Sequence, residues 1–376
     1  FCTGKVLQNR HTPDSHSFIG EGKAQEVRML VEFTQSTMVV FDNELSPGNI
    51  RALEEIIGVT VLDRSALILD IFAQRAKTRE GRLQVELAQY QYLLPRLSGM
   101  GKSLSRQGGG IGTRGPGETK LESDRRHIRE RITRLQSELD QVRQVRSVQR
   151  ERRQKNSVPV VALVGYTNAG KSTLLNQLTG ADIPANNRLF DTLDTTSRQL
   201  HVSDNLDVIL SDTVGFIAKL PHHLVDAFRA TLEELEYADL LIHVIDSADP
   251  HRAEHMAVVD QLIAKLAKPG TPVIECYNKA DLVPATDIPI GENRVRISAK
   301  SGAGMDELLT AIENALGHSR HHVLLTVPYA QGGLVQTLHD GAQVKNVEYG
   351  GEGIQVEAVL DPILYGRLRE FITKEW

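Results

Sequence analysis

The segment GYTNAGKS, from Gly165 to Ser172, decides the fold of this chain. It follows the apolar run VPVVALVG, which predicts a buried strand, and it opens a helix. In a segment of the form G-x-x-x-x-G-K-S, the glycines let backbone N–H groups surround phosphate oxygens, the lysine reaches the β- and γ-phosphates, and the serine hydroxyl binds Mg²⁺. The sequence therefore predicts a P-loop nucleotide fold in which Lys171 meets the phosphates.

Four further apolar runs follow in the same region: LDVILSD, LLIHVID, PVIECYN and RVRIS. Nearly continuous apolar strands that alternate with helices are typical of a parallel sheet covered on both faces. We therefore expect residues 157–317 to form an α/β domain with a mostly parallel sheet and helices on both faces.

The base is predicted by NKAD, which begins at Asn278 directly after a strand. The Asp281 carboxylate can accept hydrogen bonds from the N1–H and the N2 amine of guanine, whereas adenine offers neither donor. The stem of Lys279 can lie along the base. The segment SAK, Ser298 to Lys300, can present a backbone N–H to the guanine O6. The pattern therefore predicts a guanine nucleotide.

Two segments between these motifs predict the parts that respond to the γ-phosphate. In DTVG, Asp212 is placed to hold Mg²⁺ through a water, and the Gly215 N–H to contact the γ-phosphate. In FDTLDTT, we expect the Thr192 hydroxyl to complete the Mg²⁺ coordination, with Thr195 and Thr196 as the alternatives.

Four motifs in this order resemble the G domain of translation-factor-class GTPases, which implies GTP hydrolysis to GDP. The predicted nucleotide-binding residues are Gly165, Tyr166, Thr167, Asn168, Ala169, Gly170, Lys171, Ser172, Thr173, Phe190, Asp191, Thr192, Leu193, Asp194, Asp212, Thr213, Val214, Gly215, Asn278, Lys279, Asp281, Ser298, Ala299 and Lys300. The predicted catalytic residues are Lys171, Thr192 and Gly215. The predicted Mg²⁺ ligands are Ser172, Thr192 and, through a water, Asp212.

A hydrolytic residue found in many GTPases is missing. A Gln that follows D-x-x-G commonly orients the attacking water, but here the residue is Phe216, which cannot hydrogen-bond to water. We therefore expect slow intrinsic hydrolysis that a partner stimulates. Asn168 resembles the P-loop Asn of potassium-stimulated GTPases, which implies a K⁺ cofactor near the phosphates. A role confined to bracing the loop is the alternative for Asn168.

A basic, glycine-rich stretch, RQGGGIGTRGPGET, runs from Arg106 to Thr119 between two segments of helical periodicity. The apolar stripe before it consists of Leu83, Leu87, Tyr90, Leu94 and Leu97. The stripe after it consists of Ile128, Ile132, Leu135, Leu139, Val142 and Val145. The two stripes predict an antiparallel helical hairpin packed along a coiled-coil seam, with the glycine stretch at its tip.

Arginines are concentrated in the second helix of this hairpin. Such a charge run is often a solvated helix face, but beside a basic glycine loop it favours contact with a polyanion. The net charge of −5 does not itself suggest nucleic acid, because an average hides local blocks.

The ends of the chain predict two smaller α/β parts. Residues 1–64 alternate between a strand in KVLQ, a helix through GKAQEVRMLVEF, a strand in TMVVFD, a helix after SPGN with Ser46 as N-cap, and a strand in VTVLD. The hairpin is expected over residues 65–156 and the G domain over residues 157–317. The remaining residues, 318–376, predict a small α+β domain. Its expected order is strand, helix, strand, strand, helix, with a turn at Tyr349 to Gly353.

The composition excludes several classes. The chain has 376 residues and no run of about 18 apolar residues, so we expect no membrane span. Only Cys2 and Cys276 are present, which argues against a disulfide framework and fits a reducing cytosol. The first residues, FCTGKVLQNR, contain neither an initiator Met nor a signal peptide, so we expect the sequence to begin inside its first domain.

The order of these parts resembles the HflX family of ribosome-associated GTPases. The resemblance rests on GGGIGTRGPGETKLE at the hairpin turn, followed by GYTNAGKS, FDTLDTT, DTVGF and NKAD. SFIGEGKAQEV, LDRSALILDIFAQRA and LQVELAQY also resemble that family's N-terminal domain. The resemblance covers residues 18–317 and implies binding to the large (50S) ribosomal subunit, GTP hydrolysis stimulated there, and splitting of stalled ribosomes, notably after heat stress.

We further expect a cytoplasmic protein that contacts 23S rRNA, is monomeric off the ribosome and does not insert stably into membranes. Arginines neutralise rRNA phosphates, and glycines permit close backbone approach. The residues predicted to contact rRNA are Arg106, Gly108, Gly109, Gly110, Gly112, Arg114, Arg125 and Arg126.

The sequence is also compatible with two other functions. One is a GTPase of tRNA modification or ribosomal subunit assembly, although no terminal catalytic Cys or second substrate domain is visible. The other is a scaffold whose basic hairpin binds acidic proteins or a membrane surface, although the hairpin has few large apolar residues to insert in a bilayer.

Overall fold

The computed structural model describes residues 2–99, 116–155, 158–181, 196–203, 206–217, 234–317, 321–351, 353–360 and 362–376. These residues form two compact units. Described residues up to Gln141 belong to the first unit, and those from Val142 onward belong to the second. None of the helices in the described part of the chain is long and apolar enough to cross a bilayer.

The first unit begins with alternating helices and short strands and ends in two long helices. Its elements are α1 (Glu21–Thr34), β1 (Met38–Val40), α2 (Pro47–Ile57), β2 (Thr60–Leu62), α3 (Arg64–Arg75), α4 (Arg79–Leu93) and α5 (Pro116–Lys155), the last of which continues into the second unit. Strands β1 and β2 are parallel, with Met38 opposite Thr60. The predicted parallel α/β arrangement is confirmed.

The predicted start of α2 is also confirmed. The Ser46 hydroxyl accepts a hydrogen bond from the Asn49 N–H at 3.1 Å, and the Asn49 side chain accepts one from the Ser46 N–H at 3.3 Å. This reciprocal capping box satisfies two donors that a helix start leaves without intrahelical partners. Pro47 stands in the first turn, where a missing N–H costs nothing.

The strand predicted in KVLQ is wrong. Residues 5–8 have no regular secondary structure, and the side chain of Leu7 is 92% exposed. A strand needs both a paired neighbour and a covered apolar face, and within the described residues this segment has neither. An alternating pattern over only four residues does not predict a strand when pairing and burial are both missing.

Helices α4 and α5 form the predicted antiparallel hairpin. The Arg131 guanidinium donates to Glu86 at 3.0 Å from Nε, whereas Arg79, earlier on α4, faces Glu138, later on α5, at 3.8 Å. The order of the partners is thus reversed between the two helices. The stripe residues with the most complete burial are Leu83, Leu87, Leu135 and Leu139.

Both ends of the predicted stripe and loop require correction. Val145 is 60% exposed, so the apolar contact of α5 ends before it. Helix α5 starts at Pro116, so residues 116–119, expected in the loop, are helical. Proline is well tolerated at the start of a helix because the first N–H groups have no intrahelical acceptor. The rest of the predicted tip, residues 106–115, lies outside the described residues.

The second unit contains a six-stranded sheet with the order β4-β5-β3-β6-β7-β8. Its strands are β3 (Val160–Val164), β4 (Thr196–Ser203), β5 (Leu206–Asp212), β6 (Leu240–Asp246), β7 (Val273–Asn278) and β8 (Arg294–Arg296). Its helices are α6 (Lys171–Thr179), α7 (Arg252–Leu266) and α8 (Met305–Gly317). All neighbouring strands are parallel except β4, which is antiparallel to β5. The predicted P-loop fold is confirmed, although the sequence analysis did not predict strand β4.

The C-terminal part has a four-stranded antiparallel sheet with the order β10-β11-β9-β12. Its elements are β9 (His321–Val327), α9 (Gly333–Gly341), β10 (Gln343–Gly350), β11 (Gly353–Leu360), α10 (Pro362–Leu368) and β12 (Ile372–Glu375). The predicted order is confirmed as far as α10. The prediction missed β12, a strand of four residues that pairs with β9.

Candidate active site

The predicted nucleotide motifs lie at one edge of the sheet. Strands β3, β5, β6 and β7 are parallel and end at Val164, Asp212, Asp246 and Asn278. Because the carboxyl ends of parallel strands meet at the same edge, the segments that follow them converge there. Ligands of open α/β sheets commonly bind at this edge.

The loop Gly165–Ser172, hereafter the P-loop, depends on glycines at two positions. A Cβ at Gly165 would lie 2.3 Å from the Val244 carbonyl oxygen. Gly170 has φ +100°, and a Cβ there would lie 2.2 Å from Asn278 Nδ2. Neither neighbour can move easily, since one is backbone of a central strand and the other is a buried side chain. Any residue with a Cβ would therefore clash at either position, so only glycine fits.

Lys171 is held inside this loop. Its side chain is 6% exposed, and Nζ donates to the carbonyl oxygens of Gly165 at 3.0 Å and Tyr166 at 3.1 Å. Burial lowers the pKa of Lys171 to about 8, and the opposing charge of Asp212 limits that fall. A phosphate group beside this ammonium would favour its charged form. The geometry fits the predicted role of Lys171 as the phosphate-binding cation.

Ser172 and Asp212 meet where a divalent cation is expected. The Ser172 hydroxyl donates to Asp212 Oδ2 at 2.7 Å, and Asp212 is completely buried. A hydroxyl and a carboxylate are oxygen donors of the kind that Mg²⁺ prefers. Within the described residues, no cluster of three or more His, Cys, Asp or Glu could hold a metal.

Phe216, the residue that follows DTVG, is hydrogen-bonded directly to the P-loop. The Thr167 N–H donates to the Phe216 carbonyl at 2.7 Å, and the Phe216 N–H donates to the Gly165 carbonyl at 3.1 Å. A Cβ at Gly215 would lie 2.9 Å from Thr167 Cα and 3.2 Å from Lys171 Nζ. Gly215 therefore lets the two segments approach closely beside the Lys171 ammonium.

Phe216 is 2% exposed, so its ring belongs to the interior. The position that carries a water-orienting Gln in many GTPases is here filled by a buried apolar side chain. The expectation that this chain lacks that Gln function is supported by the geometry as well as by the residue type. Thr213 has a comparable structural role, because its buried hydroxyl donates to the Leu163 carbonyl at 2.6 Å.

Asn278 and Lys279 hold the base-binding segment in place. Asn278 Nδ2 donates to the Ala169 carbonyl at 2.8 Å, and the Ala299 N–H donates to Asn278 Oδ1 at 2.9 Å. Lys279 has φ +60°, and its Nζ donates to Asp246 Oδ2 at 2.6 Å. One asparagine thus connects the P-loop to the SAK segment, and the Lys279 ammonium is held by a carboxylate.

Asp281 is exposed, as a base-reading carboxylate must be. Its pKa is held below the ordinary value by a hydrogen bond from the Ser298 hydroxyl, by its own backbone N–H and by the charges of Lys300 and Lys279. The carboxylate is therefore ionised at neutral pH and can only accept hydrogen bonds. That is the state required to accept from the two guanine donors.

The structure brings most of the predicted nucleotide site together. The converging residues are Gly165 to Thr173, Asp212 to Gly215, Asn278, Lys279, Asp281 and Ser298 to Lys300. Residues 190–194, which include Thr192, lie outside the described residues, as does the alternative Thr195. The other alternative, Thr196, is the first residue of β4 and pairs with Asp212.

Two residues at this edge were missed by sequence reasoning. Asp246 ends β6 and binds Lys279, and the Ser247 N–H donates to the Asn278 carbonyl at 2.9 Å. The only signal in the sequence was the acidic residue that ends the apolar run LLIHVID. Of the predicted rRNA contacts, Arg125 and Arg126 lie on α5, and Arg126 is exposed beside Glu130 at 3.9 Å.

Family models match three consecutive parts of the chain. Their descriptions are GTP-binding GTPase N-terminal for residues 2–73, GTP-binding GTPase Middle Region for residues 75–153, and 50S ribosome-binding GTPase for residues 160–279.

Curated relatives extend the match over nearly the whole chain. A protein named GTPase HflX from Caldanaerobacter subterraneus subsp. tengcongensis is 50% identical over 98% of this chain and 86% of the relative. The GTPase HflX of Escherichia coli is 46% identical over 86% of this chain and 78% of the relative. Among solved structures, a GTP-binding protein of Sulfolobus solfataricus in complex with GDP is 25% identical, with a TM-score of 0.45 over 82% of this chain and 89% of that one.

Proposed function

The chain belongs to the HflX family of GTPases and hydrolyses GTP, and from that premise we propose that it works on the ribosome. In this proposal the GTP form binds the large (50S) subunit through 23S rRNA and splits stalled ribosomes, notably after heat stress. The ribosome stimulates hydrolysis, which then permits departure. The protein acts in the cytoplasm and is monomeric off the ribosome.

The observation that carries this proposal is the basic hairpin of α4 and α5. Helix α5 has 40 residues, which corresponds to about 60 Å of helix. The ion pairs Arg131–Glu86 and Arg79–Glu138 join it to α4, and its Leu135 and Leu139 are buried. Arg126, Arg129 and Arg134 are exposed. A helical hairpin with arginines on its exposed surface is suited to bind an extended polyanion.

Nucleic acid is the polyanion that the chemistry favours. The planar guanidinium binds phosphate oxygens through two parallel hydrogen bonds, and it is always charged. The predicted tip of the hairpin adds Arg106, Arg114 and several glycines, whose lack of side chains suits a crowded RNA cavity. The family that matches residues 160–279 is described as 50S ribosome-binding GTPase, which supports a ribosomal RNA as the partner.

In the proposal, the nucleotide site makes ribosome binding depend on whether GTP or GDP is bound. In the proposal the P-loop N–H groups and Lys171 bind the phosphates, Asp281 and the SAK segment bind guanine, and Asn278 and Lys279 hold that segment. Ser172 and Thr192, and Asp212 through a water, would hold Mg²⁺, which would supply positive charge at the β- and γ-phosphates. The Gly215 N–H contacts the γ-phosphate, so the DTVG segment differs between GTP and GDP forms.

Hydrolysis in this scheme is slow without the ribosome. Phe216 leaves the attacking water without a side-chain partner at that position, so a group from outside must orient the water or stabilise the transferring phosphoryl. Asn168 would hold a K⁺ near the phosphates. Its backbone has φ +63°, a left-handed conformation that asparagine adopts more readily than most residues.

Co-sedimentation with purified 50S subunits tests the proposal. The wild type should sediment with the subunit in the presence of a non-hydrolysable GTP analogue, less with GDP, and less as salt rises, because phosphate contacts release counterions. Splitting of 70S ribosomes should also be supported by the analogue. Absence of any GTP-dependent association with the 50S subunit would overturn the proposal.

A matched pair of variants locates the surface. The triple change Arg126→Ala, Arg129→Ala and Arg134→Ala removes exposed charges from the hairpin and should weaken sedimentation and flatten its salt dependence. The control triple Arg10→Ala, Arg28→Ala and Arg51→Ala removes the same number of exposed arginines from the N-terminal part of the chain and should leave both unchanged. Equal effects of the two sets would contradict a contact through the hairpin.

A further inference from the structure

The second residue of the P-loop is stacked on a histidine from helix α7. The rings of Tyr166 and His255 have centroids 3.6 Å apart and planes 11° from parallel. The Tyr166 carbonyl accepts hydrogen bonds from Lys171 Nζ and from the Ala169 N–H. The residue that carries this stack is therefore part of the backbone that surrounds the phosphate-binding ammonium.

A carboxylate orients the His255 ring. His255 Nδ1 lies 2.7 Å from Asp249 Oδ2. Burial opposes ionisation of Asp249, but hydrogen bonds from the His251 N–H and the His255 ring outweigh it and lower the pKa of Asp249. An ionised carboxylate can only accept, so the proton of this bond is on Nδ1. The ring is thereby fixed in both tautomer and plane.

The segment that carries Asp249 also contacts the base-binding side. The Asp249 N–H donates to the Asp246 carbonyl at 3.4 Å, and Asp246 Oδ2 accepts from Lys279 Nζ. At the start of α7, the Asp249 carbonyl accepts from the Arg252 N–H at 3.1 Å. One segment, residues 246–255, thus contacts the NKAD motif at one end and the P-loop at the other.

A cavity of about 180 Å³ lies between the loop and α7, and it is lined by Tyr166, Asn168, Asp246, Arg252, His255 and Met256. At this cavity the loop does not pack closely against α7 along its whole length. The stacked imidazole supplies a defined contact across that space.

We propose that His255 is a positioning residue for the P-loop. Its ring, held by Asp249, stacks on Tyr166 and keeps the carbonyl and N–H groups of the loop in the arrangement that binds phosphates. The proposal rests on the assignment of Gly165–Ser172 to the nucleotide, and it adds that helix α7 sets how tightly that nucleotide is held. A stacked aromatic pair contributes enough to change affinity by about three- to tenfold.

Three variants test this role. His255→Ala removes the stack and should raise the Kd for a fluorescent GDP analogue about three- to tenfold, mainly through faster dissociation. His255→Phe keeps a planar ring and should restore most of the affinity. Asp249→Asn keeps one oxygen to accept from the His251 N–H but replaces the other with a donor, so its Kd should fall between the two.

His251→Ala is the matched control, because His251 is two-thirds exposed at the start of the same helix and its ring is 6.3 Å from that of His255. It should bind nucleotide like the wild type. Steady-state hydrolysis should show a raised KM for His255→Ala with kcat within about twofold of wild type at saturating GTP. Melting temperatures of the nucleotide-free proteins show whether the variants are folded.

Two results would overturn the proposal. One is a His255→Ala protein with wild-type Kd and dissociation rate, and the other is a His255→Phe protein as weak as His255→Ala. Lys171→Ala separates these results from failure of the site assignment. If Lys171→Ala binds GDP as well as the wild type does, the nucleotide lies elsewhere. If Lys171→Ala weakens GDP binding but His255→Ala does not, the site assignment is supported and the positioning role of His255 is refuted.

Discussion

Asn278 of the base-binding segment donates from Nδ2 to the carbonyl oxygen of Ala169 in the P-loop, at 2.8 Å. Its Oδ1 accepts from the Ala299 N–H on the other side. The side chain is 2% exposed, so water cannot replace either bond. The loops predicted to contact phosphate and base are therefore held together by one carboxamide.

Asn278→Ala should weaken GDP binding by at least tenfold. The change leaves a buried carbonyl and a buried N–H without partners, and each such group costs about 1–3 kcal/mol. The measurement is the Kd of a fluorescent GDP analogue by titration. Asn346→Ala, which removes an exposed asparagine from β10, is the control and should bind normally. An unchanged Kd for Asn278→Ala would refute the bracing role.

Gly170→Ala should abolish nucleotide binding, whereas Gly180→Ala should preserve it. Both glycines flank α6 and both have positive φ, +100° and +65°. A Cβ at Gly170 would collide with Asn278 Nδ2, but a Cβ at Gly180 meets nothing within 4 Å. The pair thus separates the steric effect from backbone strain, which costs about 1 kcal/mol.

Isothermal titration of both proteins with GDP, alongside their melting temperatures, measures the two effects. Gly180→Ala should melt a few degrees lower and bind GDP normally. A Gly170→Ala protein that still binds GDP would show that the P-loop can shift away from Asn278.

The affinity for GDP should fall as the pH rises above about 8. The pKa of Lys171 in the nucleotide-free protein is about 8, and a bound phosphate raises it by favouring the charged ammonium. Below pH 8 the lysine is already charged, so binding takes up no proton there and the Kd is constant. Above pH 8 each binding event must take up a proton, so the Kd should rise by up to tenfold per pH unit.

Titrations of fluorescent GDP between pH 6.5 and 9.5 measure this effect. Lys171→Arg is the control, because a guanidinium stays charged over the whole range. Any pH dependence that persists in Lys171→Arg comes from the guanine or from other groups. A Kd that stays constant to pH 9.5 in the wild type would contradict the assigned pKa.

Much of this fold and site could be predicted from the sequence, because the signals were local. The strands of the parallel sheet are apolar runs, and the P-loop has its lysine and glycines at fixed spacing. Strand β4, by contrast, reads TSRQLHVS, and within it only Leu200 is buried. Its strand state depends on antiparallel pairing with β5, which composition does not show.

The contacts between distant segments could not be predicted for a related reason. Asp246 is 33 residues before Lys279, and His255 is 89 residues after Tyr166. Each pair meets only because parallel strands bring their ends to one edge. An acidic residue at a strand end or a histidine in a helix has no feature that identifies its partner. The four-part domain division likewise stays a prediction.

Leu135→Ala should destabilise the hairpin, whereas Val145→Ala should not. Leu135 is fully buried on α5, and removal of a buried leucine side chain costs about 2–5 kcal/mol. Val145 is 60% exposed on the same helix, so its truncation should change the free energy of unfolding by less than about 0.5 kcal/mol. Hydrogen exchange of the α4 amides is the measurement, since it reports local opening. Equal protection in the two variants would contradict a stabilising role for the buried Leu135 side chain.

Potassium should stimulate hydrolysis, and Asn168 should be required for that stimulation. Asn168→Gly tests the side chain without strain, because glycine adopts the φ of +63° freely. The variant should bind GDP like the wild type but hydrolyse GTP at the same rate in K⁺ and Na⁺. The wild type should be faster in K⁺, since a cation at this position would stabilise charge on the transferring phosphoryl in the place of an arginine finger. Equal wild-type rates in the two salts, measured by phosphate release at constant ionic strength, would exclude a K⁺ role and leave Asn168 as a residue that only shapes the loop.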